Sequence, residues 1–293
     1  MRLNHQIHLS NLDKIFWEKE GITKGNVIDY YLKIAPLILP HLKKRPMVLN
    51  RHPNGITGES FFQKQAPKET PAWVNTAKIE HAERDVDYIL VDDVETLLYV
   101  ANLGCIELNP FHSHVPKLLQ PDYMIIDLDP EDVHFDLVIE VCLKIHELLD
   151  KIGADNYCKT SGGRGLHIYV PLNAKYSFDQ SQNFAHLIGA LMEAHFPQLV
   201  SLERLPKNRQ KKIYIDYLRN SSHQTVASVY CIRPKEHAPV STPLLWEELK
   251  SGLKPADFNI FTMPLRLKMG DIFKPVLGKG IDLKGCLEAL AKL

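Results

Sequence analysis

Tyr123-Met124-Ile125-Ile126-Asp127-Leu128-Asp129-Pro130 is a run of large apolar side chains with two aspartates set into it. Its length and its closing proline predict a buried β-strand. Side chains of a strand alternate between faces, so Asp127 and Asp129 share one face, roughly 7 Å apart, and Met124, Ile126 and Leu128 take the other. Two carboxylates on one apolar strand repel each other, and burying them without a counter-charge costs several kcal/mol. A divalent cation is the natural partner, and hard oxygen ligands select magnesium or manganese. The plainer alternative is a strand end that dips into solvent.

Downstream, Leu137, Val141, Ile145 and Leu148 are spaced for one helix face, with Asp136 as cap and Gly153 closing the helix. Two strands follow, Tyr157 to Thr160 and Leu166 to Leu172, joined by Ser161-Gly162-Gly163-Arg164-Gly165. Phe184, Leu187, Ile188, Leu191 and Met192 form a second helical stripe, and a last strand from Ile213 to Leu218 carries Asp216 in its middle. Strand, helix, hairpin, helix, strand describes an α/β sheet layered with helices. Three carboxylates from two strands of one sheet are what a two-metal phosphoryl-transfer site requires. The glycine-rich turn lets backbone N–H groups approach an anion, and Ser161, Arg164 and His167 add donors, as a triphosphate cradle would. An ordinary hairpin with a structural histidine is the alternative.

Upstream, Thr23 caps a helix marked by Val27, Ile28, Tyr31, Leu32 and Ala35, which Pro36 and Pro40 are expected to end. Met47-Val48-Leu49 and Phe61-Phe62 read as a hairpin around Pro53-Asn54-Gly55, followed by apolar runs at Tyr88 to Val91 and Leu97 to Ala101. Leu118 to Pro121 connects to the aspartate strand, which sets a boundary near 120: a module over 1–120 and a catalytic module over 121–293, fused in one compact body. The 35 basic and 35 acidic side chains cancel, so a nucleic-acid surface must be local. Five cysteines with no Cys-x-x-Cys pair argue for reduced thiols without zinc or disulfides. No leader or membrane-length apolar run is visible, so a soluble cytoplasmic protein is expected.

Taken in order, Asp127-Leu-Asp-Pro130, Ser161-Gly-Gly-Arg-Gly-Leu-His167 and Ile215-Asp-Tyr-Leu-Arg-Asn220 resemble the three motifs of archaeo-eukaryotic primases. The chain is similar over nearly its whole length to the polymerase domain of DNA ligase D, the non-homologous end-joining polymerase. Leu9-Ser-Asn-Leu-Asp-Lys14, Phe61-Phe-Gln-Lys64 and Arg233-Pro-Lys-Glu-His-Ala238 extend the likeness. The resemblance implies an archaeo-eukaryotic primase fold, with an RRM-like catalytic sheet and a fused N-terminal α/β module. It implies a template-directed nucleotidyltransferase that fills gaps and extends 3′ ends, using two manganese or magnesium ions on Asp127, Asp129 and Asp216 and preferring ribonucleotides. Ser161, Arg164, His167 and Arg233 would contact the triphosphate. Phe61 and Phe62 would pack on template bases, with Arg51 and Lys64 on the substrate strands, and stacking of that kind tolerates any sequence.

Asn11, Lys14 and Lys24 match the family's pocket for a 5′-phosphate, with Lys24 in the first turn of the Thr23-capped helix, where free N–H groups favour an anion. Nucleoside triphosphates, 5′-phosphorylated DNA ends, a Ku-type protein and a separate ligase are the implied partners, since no Lys-x-Asp-Gly adenylation sequence is found. Asn109 departs from the pattern, because relatives often carry histidine there, with His112 or His114 as substitutes. The rivals are a replicative primase, which commonly carries a zinc element, a catalytically idle end-binding or synapsis module, and a metal-dependent nuclease, which has no use for a triphosphate cradle.

Overall fold

The computed structural model describes residues 5–293. The chain divides into two compact units, the first made of 1–116, 225–241 and 256–271, the second of 117–224, 242–255 and 272–293.

The first unit opens with a short pair, β1 (Ile15–Trp17) and β2 (Ile22–Thr23), that leads straight into helix α1 (Lys24–Leu42). Thr23 is the cap, as expected: its side chain accepts from Asn26 N, and Asn26 returns a bond to Thr23 N. Pro36 and Pro40 do not end the helix. Both lie inside it, because the buried stripe of Ile34, Ala35, Ile38 and Leu42 holds the last turns in place despite the lost backbone bonds. β3 (Met47–Arg51), β4 (Phe61–Gln63), β5 (Thr76–Ile79), β6 (Val86–Ile89), α2 (Val94–Asn102) and β7 (Cys105–Pro110) follow. The expected hairpin is present as the antiparallel pair β3–β4, in a three-stranded sheet of order β4-β3-β7. Gly55 turns the connection with φ +81°, and a Cβ there would lie 2.8 Å from Phe16 O, so both conformation and space demand glycine. Residues 225–241 and 256–271 return to this unit.

The second unit is built on β8 (Tyr123–Pro130), α3 (Phe135–Lys151), β9 (Tyr157–Thr160), β10 (Leu166–Pro171), α4 (Phe178–His195), β11 (Val200–Ser201), β12 (Ile213–Asp216), β13 (Pro243–Leu244) and α5 (Leu283–Leu290). Its six strands run in the order β11-β12-β8-β10-β9-β13. Met124, Ile126 and Leu128 are fully buried, and Leu128 sits directly between Leu166 and Ile215 on the neighbouring strands. Each such side chain contributes about 1.5–3 kcal/mol through burial. Helix α4 covers this face closely enough that a Cβ on Gly189 would lie 3.4 Å from Ile215 Cγ2.

Three local expectations are corrected. His134, not Asp136, caps α3, and the Asp136 carboxylate instead accepts from Ser251 Oγ and Gly252 N. The buried stripe of α3 runs through Val138, Val141, Cys142, Ile145 and Leu149, leaving Leu137 exposed, and Leu187 and Leu191 of α4 are exposed in the same way. β12 stops at Asp216, and Tyr217–Asn220 form a 3-10 turn, so Asp216 ends a strand instead of sitting inside one.

Candidate active site

The registers of the second sheet place four ionisable side chains in one row across four strands. Asp216 pairs with Asp127, Asp127 with His167, and His167 with Lys159. Because paired residues share a face, this row lies on the side of the sheet opposite Leu128 and Ile215. Asp129 shares the same side by alternation, paired with Tyr214. The two predicted carboxylate strands are therefore adjacent.

Every carboxylate oxygen of the Asp127–Asp216 pair has a protein donor nearby. His167 Nε2 is 3.3 Å from Asp127 Oδ1, and Tyr214 donates to Asp216 Oδ1 at 3.3 Å. Arg219 Nε stands between the two remaining oxygens, 3.4 Å from Asp127 Oδ2 and 3.0 Å from Asp216 Oδ2. Burial alone would raise the Asp127 carboxyl, but the charges of His167, Arg219 and Lys159 outweigh it and hold the group at about 2. Asp129 moves the other way, raised by burial and by the like charge of Asp127, with Arg164, Arg209 and Arg219 opposing. Asp216 is also raised, by burial first, with Arg219 pulling it down and Asp127 pushing it up. Burial and the Asp216 carboxylate push the Tyr214 phenol to about 12.

Repelling carboxylates with oxygen-only donors fit hard divalent cations in chemistry. In arrangement, the position of positive charge is held by Arg219, and among the described residues no group of three His, Cys, Asp or Glu side chains is set to hold a metal ion.

The glycine-rich turn is a tight β9–β10 connection closed by Ser161 N donating to Gly165 O. Gly163 N and Gly165 N both donate to Ser161 Oγ at 3.1 Å, so this hydroxyl organises the turn. Gly165 has no room for a side chain: a Cβ would lie 2.1 Å from Leu128 O, which ties the turn to the aspartate strand. Arg164 is exposed, and its charge acts on Asp129. His167 is buried beside Asp127.

Three residues of the site were not anticipated. Lys159 is completely buried at the end of the charged row; alternation from His167 back through the turn gives no simple register, so the sequence hides it. Arg219 belongs to the Ile215–Asn220 motif, and three-residue spacing from Asp216 in a 3-10 turn is the signal that finds it. Asn220 fastens that turn. Its Oδ1 accepts from Ile125 N at 2.8 Å, and its Nδ2 donates to Ile125 O at 2.7 Å and Tyr217 O at 3.0 Å. The amide thus stands in for a strand where β12 has stopped. Beside it, Arg204, Arg209, Tyr214, Asp216, Leu218, Arg219 and Gln224 line a pocket of about 260 Å³, with the Arg209 guanidinium 3.8 Å above the Tyr214 ring.

The remaining candidates lie in the first unit. Phe61 and Phe62 are both exposed, at 46% and 64%, more than the one free ring that alternation guarantees. Arg51 lies 5.2 Å from the centroid of Phe61 and is pinned by Leu103 O and Gln63 Oε1, and Lys64 is exposed beside them. Arg233 Nε bonds Glu107 Oε2 at 2.7 Å, an acidic partner not foreseen. Asn109 is buried on β7 opposite Val48 and its Nδ2 has no hydrogen-bond partner.

Lys14 and Lys24 are neighbours along the backbone: Lys24 N donates to Lys14 O at 2.8 Å, and the Lys24 ammonium is lowered by burial and then by the charge of Lys14. Lys14 Nζ bonds Asn54 and Lys24 Nζ bonds Ser10 O, while Asn11, at φ +54°, is exposed. The expected free amides at the start of α1 are absent, because Lys24 N, Gly25 N and Asn26 N are taken by Lys14 O, Leu12 O and Thr23 Oγ1. An anion there would meet ammonium groups and not backbone.

Among the described residues no helix is long and apolar enough to cross a membrane. Compared with known proteins, residues 23–273 match the family described as LigD, primase-polymerase domain. The bifunctional non-homologous end joining protein LigD of Bacillus subtilis (strain 168) is 34% identical over 266 residues, 90% of this chain and 43% of that protein. The multifunctional LigD of Mycolicibacterium smegmatis is 31% identical over 257 residues, 85% of this chain and 33% of that protein. The chain thus spans less than half the length of these relatives. Among solved structures, the polymerase domain from Mycobacterium tuberculosis ligase D in complex with DNA is similar with a TM-score of 0.86 at 26% identity, covering 94% of this chain and 99% of that one.

Proposed function

The chain belongs to the LigD primase-polymerase family, and from that premise we propose that it is a template-directed nucleotidyltransferase that fills gaps and extends 3′ ends in non-homologous end joining. The observation that carries this reading is the pairing of Asp127 with Asp216 on adjacent strands, with Asp129 on the same side and the Ser161–Gly165 turn fastened to the strand of both Asp127 and Asp129. An isolated acidic cluster would serve a nuclease equally well. A donor-rich turn locked to the same strand suits an enzyme whose substrate brings a triphosphate.

Asp127, Asp129 and Asp216 would hold two magnesium or manganese ions, which lower the pKa of an attacking hydroxyl and stabilise a leaving pyrophosphate. The chain's own groups have the work of placement. Arg164 is the exposed cation of the turn and meets phosphate oxygens, Ser161 holds the turn by accepting from its backbone, and His167 fixes the orientation of Asp127 through Oδ1. Arg233 approaches the triphosphate as a guanidinium already oriented by Glu107. Phe61 and Phe62 offer faces to template bases, with Arg51 and Lys64 on the flanking phosphates. Asn11, Lys14 and Lys24 receive the 5′-phosphate of the downstream strand. Ribonucleotides are the favoured substrates, and a DNA ligase and a Ku-type end-binding protein are the partners.

Primer extension on a 5′-phosphorylated gap, with each ribo- and deoxyribonucleoside triphosphate and each metal, tests the reading. Asp216→Ala is expected to abolish addition while DNA affinity is nearly unchanged, since the lost carboxylate acts on charge that develops in the transition state. Extension within tenfold of wild type would remove Asp216 from the catalytic set, and a wild-type protein that binds the gap without extending it would favour the synapsis module.

A further inference from the structure

Residues 65–72, which follow Phe61, Phe62 and Lys64 directly, enclose a cleft of about 590 Å³ with the β5–β6 hairpin. That volume lies within the roughly 300–1,000 Å³ of small-molecule pockets. The pairing of Lys78 with Asp87, together with strand alternation, puts Thr76, Lys78 and Asp87 on one face of the hairpin, and Thr76 and Asp87 both line the cleft. Its walls are held by hydrogen bonds. Ala66 N donates to Asp87 O at 2.7 Å, Asp87 N to Gln65 Oε1 at 3.2 Å, and Val74 N to Pro71 O at 2.9 Å. Pro67 and Pro71 stiffen the same walls through their fixed φ, so little ordering is left for a ligand to impose.

The lining is apolar at Pro67, Pro71 and Val74, carries the Asp87 carboxylate, and has the exposed cation Lys68 on its wall. Lys78, the cross-strand partner of Asp87, gives its ammonium to Asp85 at 2.9 Å and acts on Asp87 only as a nearby charge. Apolar walls with one acceptor suit a flat heterocycle that presents N–H groups.

We propose that this cleft receives one unpaired base of the template strand, guanine by preference, beside the bases that Phe61 and Phe62 carry. This rests on the reading of those rings as the template platform. Phe62 and Gln65 are three residues apart, at most about 11 Å along an extended chain, or about three base steps of 3.4 Å. Asp87 repels phosphate while Lys64 and Lys68 attract it, so the base points inward and the backbone stays outside. Guanine alone offers two adjacent donors, N1–H and the N2 amino group, to the two oxygens of a carboxylate. Cytosine and adenine offer one amino group beside an acceptor, and thymine one N–H between two carbonyls. A template base inside a gap is already unpaired, which removes the main cost of taking it out of the stack. Held there, it is kept from competing with its neighbour for the incoming nucleotide.

The test titrates the full chain against a 5′-phosphorylated two-nucleotide gap at one fixed salt concentration, read by fluorescence anisotropy. Guanine, hypoxanthine or thymine stands at the template position beyond the one copied first. Wild type is expected to bind the guanine gap about fivefold more tightly than the hypoxanthine gap and about tenfold more tightly than the thymine gap, in line with the discrimination of a two-bond contact to a base edge. Asp87→Asn, which replaces one acceptor oxygen with an N–H group, is expected to bind all three within about twofold of one another. Equal affinities in wild type overturn the proposal, as does an Asp87→Asn variant that keeps the guanine preference. If circular dichroism shows that variant unfolded, guanine against hypoxanthine on wild type decides alone, because the two differ only by the N2 amino group. A double variant, Phe61→Ala with Phe62→Ala, that binds the gaps as wild type does refutes the template platform, and the cleft falls with it. A wild type indifferent to the base while the double variant is weakened refutes the cleft alone. Hydrogen exchange locates the contact: protection of amides in 65–76 by the guanine gap supports the proposal, and the same protection on concentrating the protein without DNA makes the cleft a contact between copies and overturns it.

Discussion

Replacing Asn220 by alanine removes four side-chain hydrogen bonds at once, two of them to the backbone of Ile125 at 2.8 and 2.7 Å. Asn220 is 1% exposed and Ile125 fully buried, so water cannot take its place. A typical hydrogen bond contributes about 1 kcal/mol net, but a buried donor or acceptor left without a partner costs about 1–3 kcal/mol. Two orphaned backbone groups on Ile125 and a third acceptor at Tyr217 O put the loss at about 2–5 kcal/mol, a large part of the 5–15 kcal/mol that holds a domain together. Urea unfolding followed by far-ultraviolet circular dichroism and by the fluorescence of Trp246, which stacks on His146 in the same unit at 3.8 Å, reports it. The midpoint should fall with the slope unchanged. Asn220→Asp keeps the acceptor for Ile125 N but sets a carboxylate against Ile125 O and Tyr217 O, so it is no milder than alanine. A loss below about 1 kcal/mol in the alanine variant would mean that the amide does not fasten the 3-10 turn. The geometry of Asp216 and Arg219 would then need another explanation.

Gly165→Ala places a Cβ 2.1 Å from Leu128 O, a backbone atom of the central strand that cannot yield, and is expected to cost about 3 kcal/mol or more; thermal unfolding within a degree or two of wild type would show that the turn moves freely. Replacing both Lys14 and Lys24 with alanine is expected to weaken binding to 5′-phosphorylated gapped DNA by about 1–3 kcal/mol and to change binding to the unphosphorylated gap much less. The two substrates are titrated at one fixed salt concentration, because phosphate contacts are strongly salt-dependent. Equal losses on both would make these lysines general backbone contacts, and no loss on either would leave them as solvated charges.

The catalytic sheet was legible because its signals are local and strong. An apolar run with alternate aspartates, a glycine turn and a second apolar run give strand, hairpin and strand without knowledge of pairing. Pairing itself was not legible: nothing local states that Asp216, Asp127, His167 and Lys159 stand in one register, and that row is what sets the electrostatics of the site. Pro36 and Pro40 misled because proline penalises an isolated helix, whereas burial of Ile34, Ile38 and Leu42 decides a packed one. The turn after Asp216 resembles strand in sequence because Tyr217 and Leu218 are apolar, and a side-chain amide replacing a ladder bond leaves no periodic trace. At the start of α1, composition revealed the two lysines but not that preceding carbonyls had already claimed the amides.

The first unit is discontinuous, recruiting 225–241 and 256–271 after more than a hundred residues of the second have passed, and this bears on how the protein is made. During synthesis its N-terminal part must wait for on the order of 150 further residues, which at 5–20 residues per second takes roughly 8–30 s. Through that interval the buried Tyr30 hydroxyl lacks its partner, the carbonyl of Tyr230, and Leu108 N lacks the Cys231 sulfur. A nascent chain arrested near residue 224 therefore already carries Asp127, His167 and Asp216 while its first unit is unfinished and exposed to chaperones and proteases. Expression of the 1–116 fragment alone leaves the first unit permanently without its two returning segments, and removing residues from 256 onward strips both units.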